Sequence, residues 1–371
     1  MLISKRSKQT IDACRFCWMC RHICPIGNVT GQERNNARGR AISLSLVERK
    51  AAELADVIDN VYECALCGAC TKECVTGWDP VAFTKEVRLE AALNGQTPPY
   101  IGRLLENIEK TGNPYGASEI SQELAEEIAG LPQEAEVLLF LGQDARYMAP
   151  RAAICAIRLL KAAGVAFTVL AAEPDSGYAL DALVGASQET KQAMEKAAGI
   201  LAGFSTVVAF DPADAKVFLR EYKQWNLPCA FEAKTFTSFV AQLITGGKLR
   251  PRKLDLKAAF QDPAHLARDL EETDQARTIV DACALRCEML LYGKDTMWAG
   301  DLLMNTYLPE VMKKTAAARW KNAQAAGAEA LITASPSEYA VLDAAKPAGM
   351  QLLSLEQLVL QALTGGAGDA R

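Results

Sequence analysis

The sequence predicts an α+β protein, in which a helical N-terminal domain is followed by a duplicated α/β domain. Three observations lead to this fold class. Eight of the twelve cysteines lie in two copies of one run, Cys-x2-Cys-x2-Cys-x3-Cys, near the start of the chain. From Glu136 onward, short apolar runs alternate with amphipathic helical patterns, which is typical of paired strands and helices. The segment from Ala202 to Pro212 also recurs as Ala326 to Pro336.

The two cysteine runs have the spacing that ferredoxins use to bind [4Fe-4S] clusters. The first run contains Cys14, Cys17, Cys20 and Cys24, and the second contains Cys64, Cys67, Cys70 and Cys74. Three thiolates at intervals of three residues lie close enough on a tight loop to bind three corners of a cubane. Zinc and disulfides explain the pattern less well. A third cysteine at the same interval is surplus to a tetrahedral zinc site, and such short loops suit disulfides poorly.

The fourth ligand of each cluster is expected from the other run. In two-cluster ferredoxins the last cysteine of each run binds the neighbouring cluster, and the resemblance to those proteins implies two crossed ligand sets. The expected ligands of the first cluster are Cys14, Cys17, Cys20 and Cys74, and those of the second are Cys64, Cys67, Cys70 and Cys24. This crossing ties both runs into one small domain.

Composition limits the class of protein and its partners. Of 371 residues, 50% are hydrophobic, and 40 Lys and Arg face 45 Asp and Glu for a net charge of -5. No block of like charge is long enough for a nucleic-acid-binding tail, so no nucleic-acid partner is expected. The first residues lack the apolar core of an export signal, and no run approaches the ~20 apolar residues of a membrane span. We therefore expect a cytoplasmic protein without a transmembrane segment.

Changes in pattern divide the chain into three parts. We place the two-cluster domain at residues 1–96, a linker at 97–134 and the duplicated domain at 135–371. A helix from Val81 to Leu93 is expected to close the first domain, because Asp79 can cap it and Pro80 suits its first position.

Three arginines lie in the polar segment from Thr30 to Arg40, which follows the first cysteine run. Arg34, Arg38 and Arg40 are interpreted either as offsetting the negative charge of the clusters or as a basic face for an acidic partner. A solvated loop is the alternative interpretation.

The second domain is predicted to contain several α/β units. The predicted strands are Val137 to Leu141, Val165 to Leu170, Thr206 to Phe210, Met289 to Tyr292 and Ala330 to Thr333. The predicted helices are Ala149 to Ala163, Gln188 to Gly203, Ala213 to Gln224 and Leu302 to Ala326. In both copies of the repeat a helix ends at glycine, a strand follows, and a new helix begins with proline. The domain is therefore interpreted as a duplication.

This combination of features resembles a known family. The two runs, the sequence GNPYG at residues 112–116 and the duplicated α/β half are similar to iron–sulfur proteins related to the D-type subunit of heterodisulfide reductase. The iron–sulfur subunits of glycolate oxidase and anaerobic glycerol-3-phosphate dehydrogenase share this arrangement. The resemblance covers nearly the whole chain. It implies two clusters that exchange electrons with a flavin subunit, and a second domain that bears cysteine-rich CCG motifs.

The CCG motifs of this chain have lost every expected ligand, so the second domain is a degenerate CCG type. The replaced segments are Gly142-Gln143, Asp175-Ser176-Gly177, Asp211-Pro212-Ala213-Asp214, Gln261 to His265, Met297 to Gly300 and Ser335-Pro336-Ser337-Glu338. Asp211 and Ser335 are good N-caps, and Ser335 with Glu338 is interpreted as a capping box. A metal site formed by the new carboxylates is the alternative.

Four cysteines lie outside the two runs, at Cys155, Cys229, Cys283 and Cys287. Cys155 is interpreted as a buried small hydrophobe. Cys283 and Cys287 have the spacing of one helix face, but two thiols are too few for a third cubane.

The sequence predicts an electron-transfer subunit, with no catalytic residue assigned. Two clusters in series would carry single electrons between a flavoprotein and a second carrier. No G-x-G-x-x-G follows a predicted strand and no P-loop occurs, so the flavin is expected in a partner. That partner would be a flavin-containing oxidoreductase subunit or an electron-transferring flavoprotein, within a hetero-oligomer. A catalytic disulfide or heterodisulfide reductase subunit is the alternative, and purely structural clusters are a third possibility.

Overall fold

Helices and tight turns form the N-terminal third of the chain, and all eight cysteines of the two runs lie there. The computed structural model describes residues 1–365. The helices of this part are α1 (Lys5–Cys14), α2 (Pro25–Thr30), α3 (Ala37–Glu48), α4 (Leu54–Tyr62), α5 (Ala69–Lys72), α6 (Pro80–Leu93), α7 (Pro99–Thr111) and α8 (Gln122–Ala129). Helix α6 is the one predicted after the second cysteine run. The Asp79 carboxylate accepts hydrogen bonds from the amides of Val81 and Ala82, and Pro80 is the first helical residue.

The rest of the chain contains two four-stranded parallel sheets. The strands are β1 (Val137–Phe140), β2 (Phe167–Thr168), β3 (Thr206–Ala209), β4 (Glu232–Thr235), β5 (Lys257–Gln261), β6 (Leu285–Cys287), β7 (Ala330–Thr333) and β8 (Gln351–Ser354). The strand orders are β2-β1-β3-β4 and β6-β5-β7-β8. We call residues 137–245 the first lobe and residues 257–364 the second lobe.

Helices cover both sheets. They are α9 (Pro150–Ala162), α10 (Tyr178–Val184), α11 (Gln188–Leu201), α12 (Pro212–Lys216), α13 (Tyr222–Gln224), α14 (Phe236–Thr245), α15 (Asp274–Cys283), α16 (Leu302–Asn305), α17 (Pro309–Ala325), α18 (Pro336–Ala344) and α19 (Leu355–Thr364). The lobes pack together through α9 against α19 and α14 against α15. Fully buried Ile157, Val240, Ile279 and Leu358 belong to the core that the two lobes share.

Duplication is visible in the topology, because the two sheets have the same strand order. The repeat found in the sequence corresponds to β3 with α12 and to β7 with α18. Pro212 and Pro336 begin those helices. The predicted α+β class and the duplicated arrangement are therefore confirmed.

Several predicted elements differ from the structure. The strand predicted from Met289 to Tyr292 is wrong, because β6 ends at Cys287 and the following residues form irregular turns. Strand β6 has only three residues and begins with the exposed Leu285, so its periodic signal is weak. The helix predicted from Leu302 to Ala326 is divided before Pro309, which has no amide hydrogen to continue it.

Residues 97–134 differ from a simple linker. They contain α7, whose Ile101 and Leu104 pack among the N-terminal helices, and α8, whose Leu124 and Ile128 pack into the core of the lobes. This segment is therefore anchored on both sides. The boundaries that we place at residues 96 and 134 stay a prediction.

The N-terminal helices share an apolar core with both lobes. Leu183 from α10 and Leu303 from α16 lie in one cluster with Phe83 of α6. The Tyr62 hydroxyl also donates a 2.9 Å hydrogen bond to the carbonyl of Leu183. The lobes consequently fix the position of the segment that carries the second cysteine run. Over residues 1–365, no helix combines the length and apolar character needed to cross a membrane.

Candidate iron–sulfur sites

The fold brings the eight cysteines into two groups, and each group mixes both runs. The first thiol group, Cys14, Cys17, Cys20 and Cys74, lines one cavity of about 160 Å3. The second thiol group consists of Cys24, Cys64, Cys67 and Cys70, whose members repel one another's ionised forms. Cys70 lines the first cavity as well, so the two groups are adjacent. The grouping has the same composition as the crossed ligand sets, which stay a prediction.

The first thiol group lies at the surface. Helix α1 ends at Cys14, and the turn after it leaves Cys17 exposed. The sulfur of Cys74 accepts a 3.2 Å hydrogen bond from the Trp78 amide and lies 3.3 Å from the Thr76 hydroxyl. Partial burial raises the pKa of Cys74, but these hydrogen bonds outweigh it and lower the pKa overall. The first site therefore includes a thiol that ionises readily.

The second thiol group lies against the second lobe. Cys24 caps α2, and its sulfur accepts a 3.4 Å hydrogen bond from the Gly27 amide. Cys24 and Cys67 pack against the apolar core that contains Met289 and Trp298. Residues that are distant in sequence thus surround this group.

The donor sets fit cubane clusters. Four thiols converge in each group, which is the complement that a [4Fe-4S] cluster uses. Burial, with repulsion between neighbouring thiolates, raises the pKa of Cys14 and Cys24 to about 12. These thiols are protonated at neutral pH unless iron displaces their protons, so cluster binding releases protons and stabilises the folded region. The thiolates would bind the iron corners, and the chemistry that a cluster supplies when bound is one-electron transfer.

Three arginines surround the second thiol group. Arg268 donates a 2.8 Å hydrogen bond to the Cys67 carbonyl, and Arg88 donates a 2.7 Å bond to the Cys64 carbonyl. Arg40 donates to the carbonyls of Asn60 and Asn35 at 3.1 Å. Within the described part of the chain, none of the three forms a salt bridge with a carboxylate. Their charges remain available to offset negative charge on the cluster thiolates.

This arrangement separates the roles expected for the arginines between the runs. Arg40 is buried and its charge favours the Cys24 thiolate, so it is not part of a docking face. Arg34 pairs with Glu63, and Arg38 pairs with Glu33 at 3.0 Å. Of the three, Arg38 also lines the first cavity.

Carboxylates lie in the segments of the first lobe where the family resemblance leads us to expect cysteines. Asp211 accepts a 2.9 Å hydrogen bond from the Ala213 amide, as predicted for an N-cap. Asp214 accepts a hydrogen bond from the Ser176 hydroxyl. Burial and the proximity of other carboxylates raise the pKa of both Asp211 and Asp214 well above the ordinary value. Gly142 has φ +83°, and a Cβ there would lie 2.1 Å from an Asp214 oxygen, so only glycine fits this close approach.

The corresponding turn of the second lobe forms half of the predicted capping box. The Ser335 hydroxyl accepts a 3.3 Å hydrogen bond from the Glu338 amide. The Ser335 amide donates to the Thr333 hydroxyl rather than to Glu338. The Glu338 carboxylate turns inward and accepts a hydrogen bond from Gln261. Burial raises the pKa of Glu338 to about 8. Because the Ser335 amide bonds to Thr333 and not to Glu338, the reciprocal part of the predicted capping box is wrong.

The other candidate ligands do not form a compact metal site. Over residues 1–365, no three His, Cys, Asp or Glu residues are arranged to bind a single metal ion. Cys283 ends α15 and is buried, whereas Cys287 ends β6, so the predicted common helix face is wrong. Cys155 is half-buried and Cys229 is exposed.

A cavity of about 580 Å3 lies between the N-terminal helices and the two lobes. Cys64 lines one wall, and a hydrogen-bonded chain lines another. The Tyr178 hydroxyl lies 3.1 Å from His265 Nε2, and His265 Nδ1 lies 2.8 Å from an Asp269 oxygen. Burial raises the pKa of Asp269, but the bond to His265 and nearby Lys216 outweigh this and hold it well below the usual range. The Asp269 carboxylate is therefore ionised beside His265 Nδ1.

Sequence reasoning missed this cavity and two of the three arginines near the second thiol group. His265 was visible in the altered Gln261 to His265 segment, but Tyr178 and Asp269 belong to no motif. Arg88 and Arg268 reach the cysteine loop from distant positions, and no local pattern indicates such contacts.

Comparison with known proteins agrees with the arrangement of the thiols. Residues 10–78 match the model of the 4Fe-4S dicluster domain. The chain is 25% identical over 333 residues to the EtfAB:quinone oxidoreductase of Syntrophomonas wolfei, covering 73% of this chain but only 45% of that protein. It is 25% identical over 306 residues to the D-type subunit of the dihydromethanophenazine:CoB--CoM heterodisulfide reductase of Methanosarcina acetivorans, covering 73% and 72% of the two chains. The Methanosarcina barkeri counterpart is 24% identical over 294 residues, covering 70% of this chain and 69% of that one.

These findings define the class of protein: an iron–sulfur protein with a domain for two [4Fe-4S] clusters. The resemblance to proteins related to the D-type subunit of heterodisulfide reductase is confirmed by matches that extend into the duplicated lobes. The chain spans less than half the length of the Syntrophomonas relative.

We expect Arg268→Gln to make the midpoint potential of the second cluster more negative. Removing a positive charge beside the Cys67 loop makes reduction of the cluster less favourable. The expected shift in midpoint potential is on the order of tens of millivolts, and 59 mV corresponds to a tenfold change in the equilibrium constant of a one-electron couple. The measurement is a redox titration followed by electron paramagnetic resonance. Arg268→Lys should restore most of the potential. Arg286→Gln is the control, because its charge is already paired with Asp281 and Glu288. Equal shifts in Arg268→Gln and Arg286→Gln would contradict the assignment.

Asp301→Asn should make the stability of the protein less dependent on pH. Burial and nearby Asp144 raise the pKa of Asp301 to about 7, so its contribution to stability is present below about pH 4 and is lost as pH rises through 7. The variant keeps an N-cap for the Met304 amide. Above pH 7 it should be more stable than the wild type by about 2 kcal/mol, allowing for partial exposure.

The measurement for Asp301→Asn is urea unfolding at pH 5 and pH 8. Asp343→Asn is the matched control, since the Asp343 side chain is 55% exposed. The same loss of stability between the two pH values in wild type and Asp301→Asn would show that Asp301 is not responsible.

Proposed function

We propose that this chain is an electron-transfer subunit that relays single electrons between a flavoprotein and a second redox carrier. The observation that carries the proposal is the arrangement of the two thiol groups. One group reaches the surface at Cys17, the other borders the 580 Å3 cavity at Cys64, and Cys70 lies beside both. Two adjacent cluster sites, one at the surface and an internal one beside a cavity that opens to solvent, suit a relay in series.

The proposed ligands follow the crossed pattern. The first cluster is bound by Cys14, Cys17, Cys20 and Cys74, and the second by Cys64, Cys67, Cys70 and Cys24. Support comes from the cavity lined by the first set and from the mutual repulsion of Cys24, Cys64 and Cys67. In this scheme the hydrogen bonds to Cys74 and the charges of Arg88 and Arg268 stabilise the thiolates.

The flavin is proposed to belong to the partner. Organic substrates usually release two electrons, and a flavin is the cofactor that exchanges both pairs and single electrons. The Syntrophomonas relative carries EtfAB and quinone in its name, which supports an electron-transferring flavoprotein as the partner class. We infer a hetero-oligomer in which this chain receives or delivers single electrons.

A catalytic disulfide or heterodisulfide reductase is the weaker candidate. The relatives that are named as heterodisulfide reductase subunits support it by similarity alone. In this chain the turns that would supply cysteine ligands contain Ser176, Asp211, Asp214 and Ser335, whose side chains make capping and turn hydrogen bonds. These side chains offer no thiolate for disulfide chemistry.

Replacing the last cysteine of each run tests the crossed ligands. Wild type purified without oxygen should contain about eight irons per chain, the content of two cubanes. Cys74→Ser should disturb the spectrum of the surface cluster, and Cys24→Ser that of the internal cluster. Mössbauer and electron paramagnetic resonance spectra of both variants provide the measurement, with Cys229→Ser as the control outside both groups. Disturbance of the opposite cluster in each case would show that each run closes on itself.

Co-expression with the flavoproteins encoded beside this chain tests the relay. The isolated complex should show bleaching of the cluster absorbance when the substrate of the flavoprotein is added, because electrons reach the clusters only through the flavin. The isolated chain should bleach with dithionite but not with that substrate. Bleaching by substrate without a flavoprotein, or clusters that dithionite cannot reduce, would refute the relay.

A further inference from the structure

An exposed apolar patch surrounds the first thiol group. Four side chains form it: Phe16 is 72% exposed, Trp18 55%, Met19 57% and Val75 80%. Met19 and Val75 line the same cavity as the cysteines of the first group. We call these four residues the first-cluster face. Large apolar side chains concentrated at one exposed site are typical of an interaction surface.

Arginines border the first-cluster face. Arg15 lies over the Phe16 ring at 4.4 Å, and Arg38 and Arg21 lie over the Trp18 ring at 3.9 and 5.5 Å. Stacking fixes the aromatic rings in exposed positions while leaving positive charge around them. Tryptophan, phenylalanine, methionine and arginine are also the residues enriched in protein interfaces.

The charge of this region is opposite to that of the chain as a whole. Residues 1–40 contain eight Lys and Arg against two Asp and Glu, although the complete chain has a net charge of -5. Much of this charge is neutralised locally or buried, since Arg15 contacts Asp12, Arg21 and Arg38 share Glu33, and Arg40 is buried. The remaining excess is positive, so a complementary surface is acidic.

We propose that the first-cluster face is the docking surface for the acidic face of a one-electron flavoprotein. The inference rests on the proposed function and adds the site of contact and the chemistry of the partner surface. An apolar centre with a charged rim matches the anatomy of protein interfaces, and opposite charges accelerate encounter. Small, salt-sensitive contacts suit electron-transfer partners that must separate after each exchange.

An anionic membrane is the other surface that a basic aromatic patch can contact. The position of the patch favours a protein instead. Cys17 is exposed between Phe16 and Trp18, so whatever covers the patch lies directly over the first thiol group. A redox protein placed there brings its flavin close to a cluster, whereas lipid would only cover it.

Two variants with matched controls test the proposal. Phe16→Ser removes an apolar side chain that is 72% exposed, and Leu290→Ser removes another with the same exposure on the second lobe. Arg21→Glu reverses a side chain that is 56% exposed and paired with Glu33, and Arg158→Glu reverses one that is 55% exposed and paired with Glu127. Iron content and visible spectra confirm that each variant retains its clusters.

The probe is purified flavodoxin, an acidic one-electron flavoprotein, and the readout is its dissociation constant measured by biolayer interferometry at several salt concentrations. Phe16→Ser and Arg21→Glu should each weaken binding at least about tenfold, and the two controls less than about twofold. Binding to the wild type should weaken as salt rises.

Four outcomes would overturn the docking proposal: no binding of flavodoxin, binding insensitive to salt, equal effects of patch and control variants, or patch variants that impair only binding to phosphatidylserine vesicles. Reduction by dithionite distinguishes failure of the docking proposal from failure of the proposed electron-relay function. If dithionite reduces both clusters while flavodoxin does not bind, the docking site is wrong and the electron-transfer role is not affected.

Discussion

The structure depends on arginine side chains whose positive charge offsets the negative charge of thiolates that are buried away from bulk water. Ionised thiols in the second group are costly to bury, and Arg40, Arg88 and Arg268 lie beside them without carboxylate partners in the described part of the chain. Arg88 also donates a hydrogen bond to the Ala182 carbonyl in the first lobe, at 2.5 Å. Arg268 comes from the second lobe. The charges that favour a cluster are therefore also the contacts that connect the N-terminal helices to both lobes.

The duplicated lobes are held together by hydrogen bonds and buried carboxylates at the turns after their strands. At the turn after β3, Asp211 accepts a hydrogen bond from the Ala213 amide, and Ser176 from the loop before α10 donates one to Asp214. The arrangement crowds carboxylates, since Asp144 and Asp214 lie near Asp211. Burial and mutual proximity raise the pKa values of Asp211 and Asp214 well above the ordinary range. Hydrogen bonds from backbone amides and a hydroxyl group thus hold this part of the first lobe together.

The sequence predicted those features that depend on local spacing. The cysteine runs, the start of α6 at Pro80 and the duplicated strand–proline–helix unit follow from residues close together in the chain. The predictions that failed depend on distant contacts. Met289 is apolar because it packs in the core that contains Trp298 rather than because it lies in a strand, and Cys283 and Cys287 do not share a helix face because the chain turns into β6 after α15. Polar edge strands such as β4 carry too weak a pattern to be recognised.

The bond between Arg268 and the Cys67 carbonyl joins residues 201 positions apart. During synthesis the first thiol group can be completed once Cys74 has left the ribosome, since its members come from a short stretch of chain. The surroundings of the second group are incomplete until most of the second lobe has been made. Iron and sulfide delivered to a nascent chain would therefore meet a finished first site and an unfinished second one. The environment of the inner centre is thus complete only when nearly the whole polypeptide has been made, although its four cysteines are made early.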